Sequence, residues 1–376
     1  MIAAAAKARR GGCTYTLWPD ARQPMISADM GYPAAAEWLR RTMVPTLRRL
    51  PDAATWMSLR ARAALVGEEA GLAAEVGQAV VGSGTPLRVA MYSPSGQAVS
   101  KAICFLFREG EGDPTLVVKA MAEPRFSWRL RRESALLEEI RARVAHDPRV
   151  AAGLPAAPLF AGDVAAEFML VEPVDPLGTA TGGTSRERAL EWLRGFHIAS
   201  CSHEQAWAPE DERVALAVAR EAWRLAAPGS EDAVVDRVRA LLGPLRGAVM
   251  PRCAVHGDFW RGNVAARDDA IRVYDWEWAA HDGTPLFDLW TYELAELRVR
   301  ARDGADGLEA GLEDAVERIR AELRDRGIDE RFALAMLAPV LGGLAFRIRD
   351  RLGMPDAMEQ PSISVMRVAA RLLPTS

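Results

Sequence analysis

Asn263 is the only asparagine in this chain of 376 residues. It closes the run His256-Gly257-Asp258-Phe259-Trp260-Arg261-Gly262-Asn263. Asp275, in the segment Val273-Tyr274-Asp275-Trp276-Glu277, comes twelve positions later, beyond a short hairpin-like stretch. Any fold of this chain has to place an acid, an amide five residues on, and a second acid across a hairpin. Lysine is nearly as scarce: Lys7, Lys101 and Lys119 are the only three among 47 basic residues. Such a bias suggests a coding sequence that has drifted from Lys to Arg and away from Asn. Residues that withstand that drift are candidates for roles their substitutes cannot fill.

The length suggests two or three domains, and 49% hydrophobic with 26% charged residues is the composition of an ordinary soluble globular protein. The net charge of −4 makes nucleic acid a poor partner. Cys13, Cys104, Cys201 and Cys253 contain no C-x-x-C pair and no zinc pattern, so reduced thiols are expected. There is no apolar h-region near Met1 and no run of 18 or more apolar residues, so no membrane association and a cytoplasmic location are expected.

Along the chain, Thr14–Trp18 and Met25–Ala28 around Pro19-Asp20 read as a hairpin. Helical stretches follow near 33–50, 52–66 and 68–79. Leu87–Tyr92, Ala98–Phe107 and Thr115–Ala120 then read as strands, with turn-rich Ser93-Pro94-Ser95-Gly96-Gln97 between the first two. An amphipathic helix is expected over 127–145, then strands near 157–162 and 166–172, and a loop of Gly, Pro and Thr over 173–184. Beyond it the pattern is helical near 184–201, 211–226, 231–247, 285–303, 306–326 and 329–350, interrupted by the island 253–278.

His256-Gly257-Asp258-x4-Asn263, then Asp275-Trp276-Glu277, then Pro285-Leu286-Phe287-Asp288-Leu289 resembles the aminoglycoside phosphotransferase and choline kinase-like family. Protein kinases carry Arg where Gly257 stands. The resemblance covers about 81–376, and its C-terminal block is the specific part. It implies a protein-kinase-like α+β fold: an antiparallel-sheet N-lobe over 81–175, a helical C-lobe over 176–376 bearing the catalytic loop and acceptor pocket, and nucleotide in the cleft. Residues 1–80 form an N-terminal extension. Trp18, Trp38 and Trp56 suggest that it packs on the N-lobe rather than trailing as a tail.

The resemblance also implies roles. Asp258 is the base that takes the proton of a substrate hydroxyl. Asn263 and Asp275 hold Mg²⁺ against the phosphates of ATP or GTP, since magnesium takes one or two protein oxygen ligands plus phosphate. His256 and Asp288 support the loop. Glu277 is either an outer-shell acid or an exposed one. Lys119 is the phosphate-anchoring lysine, paired with a helix glutamate that best fits Glu133, with Glu138 and Glu139 as competitors. Ser95 and Gly96 stand where the phosphate loop belongs, although G-x-G-x-x-G is absent. The adenine is expected against the linker at Glu172 and Val174 through backbone groups, Pro173 having no N–H to give. His146, His197, His203 and His281 read as core or surface residues. The acceptor is expected to be a small hydroxylated molecule: an aminoglycoside-like antibiotic, a sugar or an amino alcohol. A nucleotide-binding scaffold without activity and a protein kinase are the alternatives. The chain lacks H-R-D, D-F-G and A-P-E, which weighs against the second.

Overall fold

The computed structural model describes residues 14–17, 25–29, 63–64, 76–77, 79–80, 82, 87–93, 101–121, 124–164, 167–175, 186–226, 229, 231–303, 307–352 and 368–369. They fall into two compact units. The first holds Met1–Glu138, Ala152–Gly183 and Ala265–Val273, and the second Glu139–Ala151, Thr184–Val264 and Tyr274–Ser376.

The first unit is built on an eight-stranded antiparallel sheet: β1 (Thr14–Leu17), β2 (Met25–Asp29), β3 (Ala63–Ala64), β4 (Arg88–Ser93), β5 (Lys101–Phe107), β6 (Leu116–Met121), β7 (Phe160–Val164) and β8 (Glu167–Pro173). Their order is β3-β1-β2-β4-β5-β6-β8-β7. The expected hairpin 14–30 is present as β1 and β2, and β2 extends the sheet by pairing with β4, Met25 opposite Ser93. The expected helix 52–66 contains β3, so that reading is corrected there: Ala63 and Ala64 pair with Leu17 and Thr16. The expected helix 33–50, and all of 68–79 except 76, 77 and 79, lie outside the described residues.

Strand alternation puts two different sets of side chains on the two faces. Ala102, Cys104 and Leu106 of β5, Leu116 and Val118 of β6, and Met169 and Val171 of β8 form one core with Val76 and Leu87. The opposite face carries Met121, Phe168 and Leu170, packed with Leu130 of helix α1 (Ser127–Val144). The register Lys101↔Met121 and Lys119↔Leu170 puts both lysines on this helix-covered face.

The second unit is mostly helical: α2 (Arg186–Ala199), α3 (Pro209–Ala226) and α4 (Glu231–Leu242), then α5 (Pro285–Asp303), α6 (Leu308–Asp325) and α7 (Leu337–Leu352). β9 (His203–Ala206) and β10 (Val249–Val255) precede the run His256–Asn263, and β13 (Ala280–Gly283) follows it, in the order β13-β10-β9. The chain between Asn263 and Asp275 makes the hairpin β11 (Val264–Arg267) and β12 (Ala270–Val273), which groups largely with the first unit. There Arg272 pairs with Asp175 and donates to the carbonyl of Leu154 at 2.6 Å, while Val273 N–H donates to Gly153 O at 2.9 Å. No helix among the described residues is long and apolar enough to cross a membrane. Cys104 and Cys253 are buried, and Cys201 is exposed.

Candidate active site

β10 ends at Val255, and the next three residues turn out of the sheet. That turn requires Gly257. Its φ is +83°, and a Cβ there would stand 2.2 Å from the carbonyl oxygen of Trp278. An arginine at this position, as in protein kinases, is therefore sterically barred by a backbone atom that cannot swing aside.

Asp288, one turn into α5 and fully buried, fastens the loop. Its two carboxylate oxygens accept the backbone N–H groups of His256 at 2.8 Å and Gly257 at 2.7 Å. The expectation that His256 and Asp288 support the loop thus acquires a geometry, although the contact to Asp288 is made by the backbone of His256. Its imidazole bonds elsewhere. Nε2 lies 2.8 Å from the carbonyl of Tyr274, which can only accept, and Nδ1 takes the N–H of Asp258 at 3.1 Å. The ring is therefore neutral, with its proton on Nε2. It ties the base of the Asp258 loop to the residue before Asp275.

Beneath the loop lies an aromatic layer that sequence reading did not assemble. His256 meets Trp276 at 4.6 Å between centroids, Trp276 meets Phe196 of α2 edge-on at 5.4 Å, and Phe259 sits 5.8 Å from Tyr292 of α5. Burial and Glu296 push the Tyr292 phenol up to about 12, so it does not serve as a base at neutral pH. Burial likewise pushes the Cys253 thiol far up, which rules it out as a nucleophile.

Asp258 is half-buried, and Asn263 is buried at the end of a 3-10 turn. The Asn263 Nδ2 donates to the backbone oxygen of Asp258 at 2.9 Å and to its carboxylate Oδ2 at 3.2 Å. Both partners are acceptors, so the amide orientation is fixed and Oδ1 is turned to the other side. Asn263 O accepts Tyr274 N–H at 2.8 Å, closing the base of the hairpin. Asp275 follows in left-handed geometry, φ +64° and ψ +63°, uncommon for a residue with a side chain and a mark of a constrained functional turn. An amide oxygen and a carboxylate are the hard donors that magnesium takes when phosphates complete its shell, so these residues fit the ion. Among the described residues no group of three His, Cys, Asp or Glu is placed to hold a metal. Glu277 is buried, which removes the exposed alternative for it.

In the sheet-rich unit one pairing departs from expectation. Lys119 Nζ is 2.8 Å from Glu172 of β8, and Glu133 of α1 pairs with Lys101 of β5 at 2.9 Å. The expected Lys119–Glu133 ion pair is corrected accordingly. Glu172 lies on the same sheet face as Lys119, one diagonal step away in the register. It reaches the ammonium directly, leaving the helix carboxylate to the neighbouring strand. Burial works to lower the Lys119 pKa, but the Glu172 and Glu133 carboxylates outweigh it and hold the lysine above its usual 10.5, hence charged. The carboxylate of Glu172 is thus engaged, and the Val174 N–H donates to Thr115 O at 3.1 Å, just beyond the paired strands. Ser95 and Gly96 lie outside the described residues.

His197 is the supporting residue missed in the sequence. It comes from α2, 91 residues before Asp288, and its Nε2 is 3.1 Å from Asp288 Oδ2. Its Nδ1 accepts from Arg326 at 3.0 Å, and Arg326 is held by Glu322. Burial lowers the His197 pKa against the pull of Asp288, so the ring stays neutral. Burial also works to raise that of Asp288, but the bonds from His197 and the His256 backbone outweigh it and keep the carboxylate ionised. His146, His203 and His281 are exposed.

A sheet-rich unit with a half-buried, charged lysine, followed by a helical unit with an anchored acid–amide loop, defines a kinase-like phosphotransferase. The profile of the phosphotransferase enzyme family matches residues 105–325, more than half of the chain, and the chain belongs to that family. Among curated sequences none matches. Solved structures similar in fold include a protein assigned as a fructosamine-3-kinase from Haemophilus somnus 129PT, with 14% identity, a TM-score of 0.50, and coverage of 80% of this chain and 96% of that one. A thermostable mutant of an aminoglycoside phosphotransferase in its apo form has 13% identity, a TM-score of 0.46, and coverage of 76% and 95%. A glucosamine kinase in complex with glucosamine, ADP and inorganic phosphate has 16% identity, a TM-score of 0.42, and coverage of 80% and 98%. At 14% identity the likeness to the first of these is one of fold.

Proposed function

We propose that this phosphotransferase moves the γ-phosphoryl group of ATP or GTP to a hydroxyl of a small molecule of the aminoglycoside, sugar or amino-alcohol class. The observation that carries the reading is the Asp258–Asn263 pair on a loop clamped by Asp288. In the transfer, the acceptor hydroxyl oxygen forms a bond to the γ-phosphorus as the bond to the β-bridging oxygen breaks. The hydroxyl proton passes to a carboxylate oxygen of Asp258. Asn263 holds that carboxylate in place, and positioning supplies much of the rate in a loose transition state. Lys119 is assigned to the nucleotide phosphates, and Ser95 and Gly96 are assigned the same role. Asn263 Oδ1 and Asp275 would hold Mg²⁺, which when bound neutralises charge on the phosphate oxygens. Gly257 supports the small-molecule reading, because the loop cannot take the arginine of protein kinases.

The test is an acceptor panel. Aminoglycosides, hexoses, amino alcohols and generic protein substrates are incubated with Mg²⁺ and ATP or GTP, and products are read by mass spectrometry. One phosphate on a small-molecule hydroxyl supports the proposal. Phosphoprotein without small-molecule product would overturn it, and tight nucleotide binding with no product from any acceptor would favour a binding scaffold.

A further inference from the structure

Lys101 and Lys119 begin as a compositional oddity and end in one place. Two of only three lysines in an arginine-rich chain stand on adjacent strands of one sheet face. Register places Lys119 opposite Ile103, so Lys101 is its diagonal neighbour, one step along β5 on the same side. Each ammonium has its own carboxylate: Lys101 takes Glu133 from α1 at 2.9 Å, and Lys119 takes Glu172 from β8 at 2.8 Å. Their side chains are only 10% and 17% exposed, and Glu133 only 2%. The two pairs also feel one another, for Lys119 is acted on by Glu133 and Lys101 as well as by Glu172.

A fold does not need this arrangement. Two buried and two half-buried charges are costly to desolvate, and apolar residues of similar volume commonly replace a buried ion pair without loss of stability. The same face is otherwise apolar, with Met121, Leu130, Phe168 and Leu170 beside the charges. Two like-charged ammonium groups are also brought close, which is unfavourable unless anions gather around them. Lysine suits that task differently from arginine, as a compact point charge with three donors rather than a planar fork. Lys101 is moreover the first residue of β5, directly after the segment 94–100 that takes the place of a glycine-rich phosphate loop in the sequence.

We propose that Lys101, fixed by Glu133, is a second phosphate-binding cation, and that Lys101 and Lys119 together hold the polyphosphate of the nucleotide. The division of labour is unusual in one respect: the helix glutamate positions the β5 lysine, and the β8 glutamate positions the β6 lysine. The inference rests on the nucleotide-dependent reading above.

The experiment compares ADP, ATP and AMP binding with Mg²⁺ by calorimetry in wild type, Lys101→Met, Lys101→Arg and the double variant Lys101→Met/Glu133→Met. The double variant removes a neutral pair at near-constant volume, so it folds even if Lys101→Met alone strands a buried carboxylate; thermal melts check this. The expected result is ADP and ATP affinity about 10- to 100-fold weaker in the double variant, equivalent to losing one or two charge-assisted hydrogen bonds, with AMP affected less and Lys101→Arg restoring part of the loss. A folded double variant that binds ADP and ATP as wild type does would overturn the inference and leave a purely structural ion pair. If wild type itself binds neither ADP nor ATP, the nucleotide-dependent reading fails first, and this inference with it.

Discussion

The side-chain amide of Asn263 donates to two oxygens of Asp258, the backbone carbonyl at 2.9 Å and the carboxylate Oδ2 at 3.2 Å. One amide therefore sets both the backbone turn and the direction of the acid. Asn263→Ala removes both bonds. A hydrogen bond to a charged group contributes about 1.5–3 kcal/mol, so turnover should fall by roughly 10- to 100-fold from positioning alone, more if the magnesium role holds. Steady-state rates at saturating Mg²⁺, alongside a thermal melt, check this. A variant with unchanged kcat would separate Asn263 from the chemistry.

Gly257 carries two constraints that can be told apart. Its φ is positive, and a Cβ would collide with Trp278 O. Gly110 has a similar φ of +89° with open space around it, so Gly110→Ala reports the backbone strain alone. Both substitutions should lower Tm, Gly110→Ala by the equivalent of about 1 kcal/mol and Gly257→Ala by more than about 3 kcal/mol, the latter with loss of turnover. Equal melting shifts would mean that the loop yields to the side chain.

The layout of the chain was readable because strand and helix periods are local. β5, β6, α1 and α5 lie where alternation and amphipathic spacing put them, and the acid–amide run lay within one stretch of sequence. What was not readable depends on distance and register. Glu133 and Glu172 both suit Lys119 by residue type, and only the strand pairing shows which carboxylate reaches which ammonium. His197 reaches Asp288 across 91 residues, and no local pattern marks it among five histidines. The role of Gly257 rests on a carbonyl 21 positions away.

His197 makes the support of the loop sensitive to acid. It is surrounded by Asp288, Arg326 and Glu322, and its folded pKa lies below the ordinary 6.5. The unfolded chain therefore takes up a proton near pH 6.5 that the folded chain resists. Stability is whole above that pH and declines as pH falls below it toward the folded value. Asp288, held below 3.8, adds to stability above that value, and its contribution is lost as pH falls through its lower folded pKa. In His197→Gln, which keeps one donor and one acceptor, Tm should be flatter than in wild type from about pH 6.5 down to about pH 5. Calorimetric melts across that range decide it, and parallel curves would remove His197 from the acid response.

Lys119 should not tolerate arginine. The guanidinium is larger and flat, and the site beside Glu172 is nearly closed. Lys119→Arg is expected to melt close to wild type yet bind ATP or turn over at least about tenfold worse, the equivalent of one lost charge-assisted contact. Calorimetry and rate assays together show it, and full activity would make the lysine incidental.

Asp258 is the proposed base of the phosphoryl transfer. The most direct measurement of that role pairs nucleotide affinity with turnover in Asp258→Asn, using whichever acceptor the panel identifies. The expected result is ATP affinity within about twofold of wild type and turnover lower by about 10²–10⁴-fold, the range for removing a positioned general base. Near-normal turnover in a folded, ATP-binding Asp258→Asn enzyme would contradict it.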